Sequence, residues 1–340
     1  MKKFLSLVIV FLLSITTFLS PISSFADSKD VSISSPNSVV LDYETGKVLY
    51  EKDGDKKVYP ASTTKIWTAY LVVKNVKNLN THIEIDKHLF VDGSSMYLEK
   101  GEIFTVKQLL QGLLIHSSND AAEVLAEYVS GNKADFAKLM NKRAKQAGAN
   151  DAHFANACGL FNKKHYVTAY DMAKIMQAAL QYPVFREIIN SSSYTLPTDN
   201  KRKEPLTISQ RHQMVQPWNS FHYDGIIGGK TGFVNESGTT LVTSAQRDGM
   251  TLITVVLNSP GTNSYVDTTA LLDFGFKNFK LTNVSENDTR FENKSTFTNN
   301  FDSIFKTKLH RLSLSKDAVV VLPKDANFAD TTSTITLNED

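Results

Sequence analysis

The chain has 340 residues, of which 41% are hydrophobic, 10% aromatic and 21% charged. This balance excludes disorder for most of the chain and indicates a globular protein with a sizeable core. A formal charge of +2 argues against a nucleic-acid-binding protein, which usually carries a strongly basic surface. The length is compatible with two domains, either similar in size or as one compact domain with an appendage.

The N-terminal residues 1–26 have the pattern of a signal peptide. Lys2 and Lys3 precede an apolar run over residues 4–20, and the small residues Ser24 and Ala26 stand at the predicted cleavage site. An uncleaved membrane anchor is the alternative, although about 17 residues is the lower limit for a helix that crosses a bilayer. We therefore expect an exported protein whose mature chain begins at Asp27.

The cysteine and histidine content predicts neither a disulfide nor a metal site. Cys158 is the single cysteine, so it cannot form a disulfide within the chain, and we expect a small buried side chain. The eight histidines show no H-E-x-x-H motif. The sequence therefore predicts no metal, and nothing in it calls for a cofactor.

Hairpin patterns occur near both ends of the chain, and helical patterns fill the region between them. Residues 38–52 alternate in hydrophobicity around a turn at Gly46, and residues 239–257 form two β-branched arms around Asp248-Gly249. The predicted helices start at or just after Ser62, Thr105, Asp120, Lys133 and Thr168. Thr168 also has the pattern of a capping box with Asp171.

This order predicts an α+β fold: one antiparallel sheet closed by early and late segments, flanked by helices, with a helical subdomain packed on it. From about residue 282 the composition shifts to Asn, Ser, Thr and Asp, and residues 317–322 have the pattern of a strand. We expect residues 27–281 to form the main domain and residues 282–340 a small, partial β appendage.

The segment Ser62-Thr63-Thr64-Lys65 carries the first chemical motif, S-x-x-K. Residues three apart lie on one face of a helix, which would bring the Ser62 hydroxyl near the Lys65 amine. A neutral lysine can accept the hydroxyl proton, but an ordinary lysine has a pKa of about 10.4, so burial or a second cation must lower it. Alone, the motif is weak, because it occurs by chance in many helices.

Two further short motifs follow. Ser117-Ser118-Asn119 falls between two predicted helices, where its hydroxyl would relay a proton and its amide would bind a peptide carbonyl. Helix capping by Ser117 or Asn119 is the alternative. Lys230-Thr231-Gly232 stands at the start of the late strands, where a cation and a hydroxyl would bind a carboxylate, and Gly232 would let another backbone approach closely.

Two common enzyme motifs are excluded. Residues 224–231 resemble a phosphate-binding loop, but Asp224 stands where its first glycine should be, and a strand rather than a helix is predicted after Thr231. The G-x-S-x-G motif of α/β-hydrolases is absent.

In this order, the three motifs are those of the penicillin-recognising serine enzymes. Their flanks resemble the D-alanyl-D-alanine carboxypeptidases, the low-molecular-mass penicillin-binding proteins: VYPASTTKIWTAY, SSMYLEKGEIFTVKQLLQGLLIHSSNDAAEVLAEYVSG, HYVTAYDMA and DGIIGGKTGF. The resemblance covers about residues 35–280 and, more faintly, residues 317–337. It implies an active site between the sheet and the helical subdomain, which acts outside the membrane on peptidoglycan stem peptides ending in D-Ala-D-Ala and is acylated by β-lactams.

The resemblance also implies a catalytic role for several residues. Ser62 would be the acylated nucleophile, Lys65 its base, and Ser117 the group that passes a proton to the departing D-alanine. Lys230 would help to keep Lys65 neutral.

Substrate binding would fall to the second and third motifs. Asn119 would orient the substrate amide, and Thr231, in the motif with Lys230 and Gly232, would bind the terminal carboxylate. The oxyanion hole would consist of the backbone N–H groups of Ser62 and Phe233.

The chain departs from the family pattern in several places. Val234 and Ser237-Gly238 replace the threonine and the Ala-Gly that often follow K-T-G, and Cys158 stands where relatives commonly have another residue type. Many relatives also have an arginine upstream of the late helix that helps to bind the substrate carboxylate, but no arginine lies between Arg247 and Arg290. These differences bear on affinity and substrate range, not on the nucleophile, base or relay.

Two other functions remain open at this point. A β-lactamase would share the motifs but needs a carboxylate for deacylation, and no glutamate occurs between Glu127 and Glu187. A non-catalytic penicillin-binding sensor would keep the pocket and lose turnover. The family usually ends in an amphipathic helix on the membrane surface, so the resemblance predicts such an association through a C-terminal region, although no such pattern precedes Asp340.

Overall fold

A five-stranded antiparallel sheet forms the centre of the protein, for which a computed structural model describes residues 31–288, 315 and 317–332. In chain order the strands are β1 (Asn37–Asp42), β2 (Val48–Lys52), β3 (His82–Glu84), β4 (Ile103–Thr105), β5 (Ser193–Leu196), β6 (Leu206–Ser209), β7 (Ile226–Val234), β8 (Gly238–Arg247), β9 (Met250–Ser259), β10 (Phe279–Asn283) and β11 (Val319–Pro323). The central sheet has the order β2-β1-β9-β8-β7, and the remaining strands pair as β3-β4, β5-β6 and β10-β11. Strand β1 pairs with β9, so early and late segments close the sheet as the sequence predicts.

Both predicted hairpins are confirmed, and the residues at their turns explain why each chain reversal forms. Between β1 and β2, Asp42 Oδ1 accepts hydrogen bonds from the backbone N–H and the hydroxyl of Thr45 at 2.8 and 2.6 Å. Between β8 and β9, Asp248 and Gly249 have positive φ angles of 50° and 79°. Two successive positive φ angles match the twist of the flanking strands, which is why Asp-Gly predicts a tight hairpin.

The helices lie mainly between the two hairpins. Within the described residues they are α1 (Thr64–Asn75), α2 (Val106–Gln111), α3 (Asn119–Ser130), α4 (Lys133–Gln146), α5 (Ala169–Ala179), α6 (Pro183–Asn190), α7 (Asn263–Asn278) and α8 (Val284–Asn287). Thr105 and Thr168 both form complete capping boxes, with Gln108 and Asp171 respectively. The capping box predicted at Thr168 is therefore confirmed.

Helices cover both faces of the central sheet, which gives the protein two hydrophobic clusters. Val39 and Leu41 of β1 belong to the cluster that includes α1 and α5, whereas Val40 belongs to the cluster that includes α7. Successive side chains of a strand point to opposite faces, so this alternation follows from the strand itself. The predicted α+β architecture, an antiparallel sheet flanked by helices with a helical subdomain, is confirmed.

The structure refines two predictions. The helix expected to start at Ser62 begins as a 3-10 turn (Ala61–Thr63), and the α-helix starts at Thr64. The strand expected at residues 317–322 is β11, which pairs with β10 immediately after α7.

Some predictions concern residues outside the described ranges. The predicted signal peptide and most of the predicted C-terminal appendage lie there. In the described part of the chain, no helix combines the length and the apolar composition that a membrane crossing requires.

Candidate active site

Ser62 lies in a short turn that packs against the edge of the central sheet. Ala61, the residue before it, has a positive φ of 49°. The carbonyl of Pro60 accepts hydrogen bonds from Thr63 Oγ1 at 2.7 Å and from Thr240 Oγ1 of β8 at 2.9 Å. The turn is therefore closed by its own Thr63 and tied to the sheet through Thr240.

Lys65 is completely buried beside Ser62. Its Nζ lies 2.8 Å from Ser62 Oγ and donates to the backbone carbonyl of Cys158 at 2.7 Å. Burial is the main reason that the pKa of Lys65 falls to about 8 from its ordinary value of 10.5. The first turn of α1 thus holds, next to a hydroxyl, a lysine that becomes largely neutral above about pH 8.

The sequence motifs do not predict that the backbone carbonyl of Cys158 accepts a hydrogen bond from Lys65. The Cys158 side chain is buried, as predicted, but its backbone oxygen is what faces the candidate site. Asn156 Oδ1 fixes this loop by accepting hydrogen bonds from the N–H of Cys158 at 3.2 Å and of Gly159 at 2.7 Å. A Cβ atom at Gly159, which has a φ of +88°, would lie 1.8 Å from the carbonyl oxygen of Ala61. The N-A-C-G-L segment therefore packs directly behind the serine turn.

The second motif lies where one helix ends and the next begins. A π-helical segment (Gly112–His116) follows α2 and ends at Ser117, which has a left-handed φ of 68°. Such conformations are uncommon outside glycine and concentrate at functional sites. The capping alternative is wrong, since the N-cap of α3 is Ser118 and makes no side-chain capping bond.

Asn119 sits at the start of α3 beside a loop that Asp120 holds in place. Asn119 Nδ2 donates to the carbonyl of Asp92 at 2.5 Å, and its Oδ1 is buried without a partner among the described residues. The carboxylate of Asp120 accepts hydrogen bonds from Ser95 Oγ at 2.6 Å and from the N–H groups of Met96 at 3.2 Å and Leu98 at 3.1 Å. Sequence reasoning did not predict that Asp120 holds this loop. The one local feature that could have indicated it is the position of an acidic residue next to the S-x-N motif.

The third motif lies on β7, an edge strand of the central sheet. Lys230 is buried, and its Nζ donates to the carbonyl of Thr231 at 2.9 Å. At Gly232 an added Cβ would lie 2.7 Å from the backbone nitrogen of Ser62. Glycine therefore allows β7 to pass close to the serine turn, and Phe233, the next residue, keeps an exposed side chain.

The cations of the site influence one another. Burial lowers the pKa of Lys230 well below its ordinary value, and the nearby Lys65 and Arg211 lower it further. For Lys65, the cation that lowers the pKa is Arg211, while Cys158 and Asp120 raise it. The interaction between the two lysines lowers the pKa of Lys230, whereas at Lys65 burial dominates and the contributing cation is Arg211, which sequence reasoning missed.

Comparisons with known proteins agree with this arrangement. The family model for D-alanyl-D-alanine carboxypeptidases matches residues 23–261. The D-alanyl-D-alanine carboxypeptidase DacF of Bacillus subtilis is 32% identical over 82% of this chain and 72% of its own. DacB2 of Mycobacterium tuberculosis, with the same enzyme name, is 35% identical over 70% of this chain and 81% of its own.

Solved structures show the same fold. The D-alanyl-D-alanine carboxypeptidase DacD of Francisella tularensis superposes with a TM-score of 0.70 at 26% identity, covering 78% of this chain and 76% of that one. The DD-transpeptidase of Streptomyces K15 superposes with a TM-score of 0.67 at 30% identity, covering 72% of this chain and 98% of that one. The three motifs, the fold and the extent of the family match lead to one conclusion: this chain belongs to the D-alanyl-D-alanine carboxypeptidase family.

Proposed function

We propose that this protein removes the terminal D-alanine from peptidoglycan stem peptides ending in D-Ala-D-Ala, through an acyl-enzyme on Ser62. As a member of its family it is a serine-type peptidase, hence a hydrolase. The observation that carries the residue assignment is the distance of 2.8 Å between Ser62 Oγ and the buried Lys65 Nζ, whose pKa of about 8 makes it a usable base.

Acylation starts when Lys65 in its neutral form accepts the proton of the Ser62 hydroxyl. The oxygen attacks the carbonyl carbon of the penultimate D-alanine, and the backbone N–H groups of Ser62 and Phe233 stabilise the resulting oxyanion. When the C–N bond breaks, Ser117 passes a proton to the amine of the departing D-alanine. Water then attacks the ester, assisted by Lys65 or Ser117, and releases the shortened peptide and free Ser62.

The edge of β7 gives the substrate peptide a strand along which to bind. An edge strand has unpaired backbone groups, so an extended peptide can add to it as a further strand. Asn119 orients the amide before the scissile bond, and Thr231, beside Lys230, binds the terminal carboxylate. Gly232 leaves room for the close approach of β7 to the serine turn.

The described carboxylates give no support to a β-lactamase. Glu123 and Glu127 lie on α3, and their side chains pair with Lys133 at 3.1 Å and with Lys87 at 2.6 Å. Neither is free to activate a water at Ser62. β-Lactams therefore act on this protein as covalent inhibitors. A sensor without turnover is disfavoured because the relatives that match most of the chain are named as carboxypeptidases.

The substrate sets where the enzyme works. Peptidoglycan lies outside the cytoplasmic membrane, so the protein acts there after export, in the cell wall or at the outer face of the membrane. We include association with the membrane surface in this proposal as an inference from the family resemblance.

The decisive experiment measures release of D-alanine from a diacyl-L-lysyl-D-alanyl-D-alanine peptide. We expect release by the wild type and none by Ser62→Ala, which should also lose covalent labelling by a fluorescent penicillin while keeping its melting temperature. Ser193→Ala, which removes an exposed hydroxyl on β5, is the matched control and should behave as the wild type. Labelling of Ser62→Ala at another residue would refute the assignment.

A further inference from the structure

His165 is a buried histidine that contacts the first turn of α1 but takes no part in the chemical steps. Its Nε2 lies 2.9 Å from Oγ1 of Thr64, the residue directly before Lys65. Its Nδ1 accepts a hydrogen bond from the backbone N–H of Ala155 at 3.4 Å. The ring therefore joins α1 to the chain segment that leads to Cys158.

The direction of these two hydrogen bonds follows from the chemistry of the ring. A backbone N–H can only donate, so Nδ1, which faces Ala155, carries no hydrogen. The pKa of His165 is lowered to about 3, chiefly by burial, with contributions from the nearby His153 and Lys65. The ring is therefore uncharged at neutral pH, and its one N–H is at Nε2. His165 thus donates to the Thr64 hydroxyl and accepts from Ala155.

The ring of His165 is held in place by its surroundings. Phe154 packs edge-on against it, with 5.5 Å between the ring centroids. Two residues further along the chain, Val167 exchanges backbone hydrogen bonds of 2.9 Å with Val58, which lies four residues before Ser62. A ring fixed in this way can set the distance between the two segments that it contacts.

The segment of residues 155–159 lies along α1 and carries the carbonyl that Lys65 contacts. Thr68 Oγ1 donates to the backbone carbonyl directly before Cys158 at 2.6 Å, and Lys65 Nζ donates to that of Cys158 at 2.7 Å. His165 adds a further link to α1 at the first residue of the segment. A shift of the segment would therefore move the carbonyl that fixes Nζ, and with it the distance between base and nucleophile.

We propose that His165 is a positioning residue for acylation, which holds the first turn of α1 against residues 155–159 so that Lys65 stays beside Ser62. This inference rests on the proposed function, in which Lys65 is the base. His165 does not touch the substrate, because it acts through Thr64 and through the segment. Without its two hydrogen bonds, α1 and the segment separate, water reaches the amine, and the serine–lysine distance of 2.8 Å lengthens.

The test measures second-order labelling of His165→Leu by a fluorescent penicillin between pH 6 and 10. Leucine fills similar space without a hydrogen bond. We expect the rate at pH 7 to fall by up to about 100-fold, the cost of a misplacement of about 1 Å. The pH at which the rate levels off should rise from about 8 toward 10.5, because a lysine that water reaches regains its ordinary pKa. The other groups that act on the Lys65 charge, Cys158, Asp120 and Arg211, are unchanged in this variant.

Thr64→Val identifies the contact through which His165 acts. Valine keeps the shape of threonine but cannot accept the hydrogen bond from Nε2. We expect a smaller loss with the same shift of the pH profile, and the double variant Thr64→Val/His165→Leu should label no more slowly than His165→Leu alone, because both changes break one contact. His165→Gln should recover part of the rate, since its amide can still donate to Thr64. If His165→Leu fails to fold, Thr64→Val carries the test.

Two controls separate positioning from stability. His82→Leu, at an exposed position on β3, should behave as the wild type. Leu272→Ala removes a buried side chain from the hydrophobic cluster on the α7 face of the sheet. It should lower Tm and keep the pH profile of the wild type.

The outcomes separate this inference from the function on which it rests. An unchanged pH profile in His165→Leu, or single losses that multiply in the double variant, would overturn the inference while leaving the carboxypeptidase activity in place. A shifted profile in Leu272→Ala would also overturn it, since instability alone would then explain the effect. If the wild type is labelled at Ser62 at no pH, the proposed function itself is wrong.

Discussion

The amine of Lys65 and the backbone carbonyl of Cys158 form a hydrogen bond of 2.7 Å. This bond uses one amine hydrogen and fixes Nζ 2.8 Å from Ser62 Oγ. In the neutral amine, the lone pair is then free to accept the serine proton. The geometry and the pKa of this one group therefore set the pH dependence of acylation.

We expect the rate of acylation by a fluorescent penicillin to rise with pH and to level off above about pH 8. Lys65 must be neutral to act as a base, and its pKa is lowered to about 8, chiefly by burial. Below that value the neutral fraction, and with it the rate, falls about tenfold per pH unit. The measurement is the second-order labelling rate between pH 6 and 10, with circular dichroism as a check on folding. A flat profile would contradict Lys65 as the base.

Lys65→Met should abolish labelling without destabilising the protein at pH 7. The pKa of Lys65 is lower in the folded than in the unfolded chain, so below about pH 8 the buried charge costs folding free energy, a cost that disappears as pH rises toward 10.5. Methionine fills similar space without the charge, so stability should stay equal or increase by up to about 3 kcal/mol.

Denaturant unfolding at pH 7 measures this difference. Lys74→Met, at the exposed end of the same helix, is the control and should change stability little. A loss of more than about 1 kcal/mol in Lys65→Met would show that the charge is net stabilising where it is.

Gly159→Ala should damage both stability and acylation. The added Cβ would lie 1.8 Å from the Ala61 carbonyl, so the serine turn or the N-A-C-G-L segment must shift. Gly131→Ala is a close control, because Gly131 also has a positive φ, 78°, but an added Cβ there meets nothing within 4 Å. We expect the control to lose about 1 kcal/mol from backbone strain alone and to keep its labelling rate. Equal losses and unchanged labelling in both variants would contradict the tight packing behind Ser62.

Local patterns account for the parts of the fold that the sequence predicts. The Asp248-Gly249 turn and the Thr168 capping box are decided by a few neighbouring residues, so a pattern suffices. Short strands such as β5 and β6 were missed, because four residues with one buried side chain each give no clear period.

The candidate site likewise contains residues that a motif predicts and groups that only the fold brings together. Ser62, Ser117 and Lys230 stand in short motifs whose residue types carry chemistry, so they are visible in the sequence. The carbonyl of Cys158 is invisible there, since every residue has one and only the fold selects which faces Lys65. Arg211 belongs to no motif and reaches Ser117 across 94 positions of the chain through contacts with Ile115 and His116.

Thr231→Val should weaken turnover of the D-Ala-D-Ala peptide and leave the fold intact. Valine has nearly the shape of threonine but cannot donate a hydrogen bond to the terminal carboxylate. We expect a loss in kcat/KM equivalent to about 1.5 to 3 kcal/mol, the value of a hydrogen bond to a charged group. Thr207→Val on the exposed face of β6 is the control. An unchanged kcat/KM for Thr231→Val would remove Thr231 from carboxylate recognition.

Penicillin should leave Ser62 slowly, because this site lacks the means to bring water to a β-lactam ester. Glu123 and Glu127 are paired with Lys133 and Lys87, and no glutamate occurs between Glu127 and Glu187. With the natural substrate D-alanine departs and water enters in its place, whereas opened penicillin stays tethered and blocks that approach. Intact-protein mass spectrometry should therefore show the acyl-enzyme long after excess drug is removed. Rapid, repeated hydrolysis of a chromogenic cephalosporin would instead favour a β-lactamase.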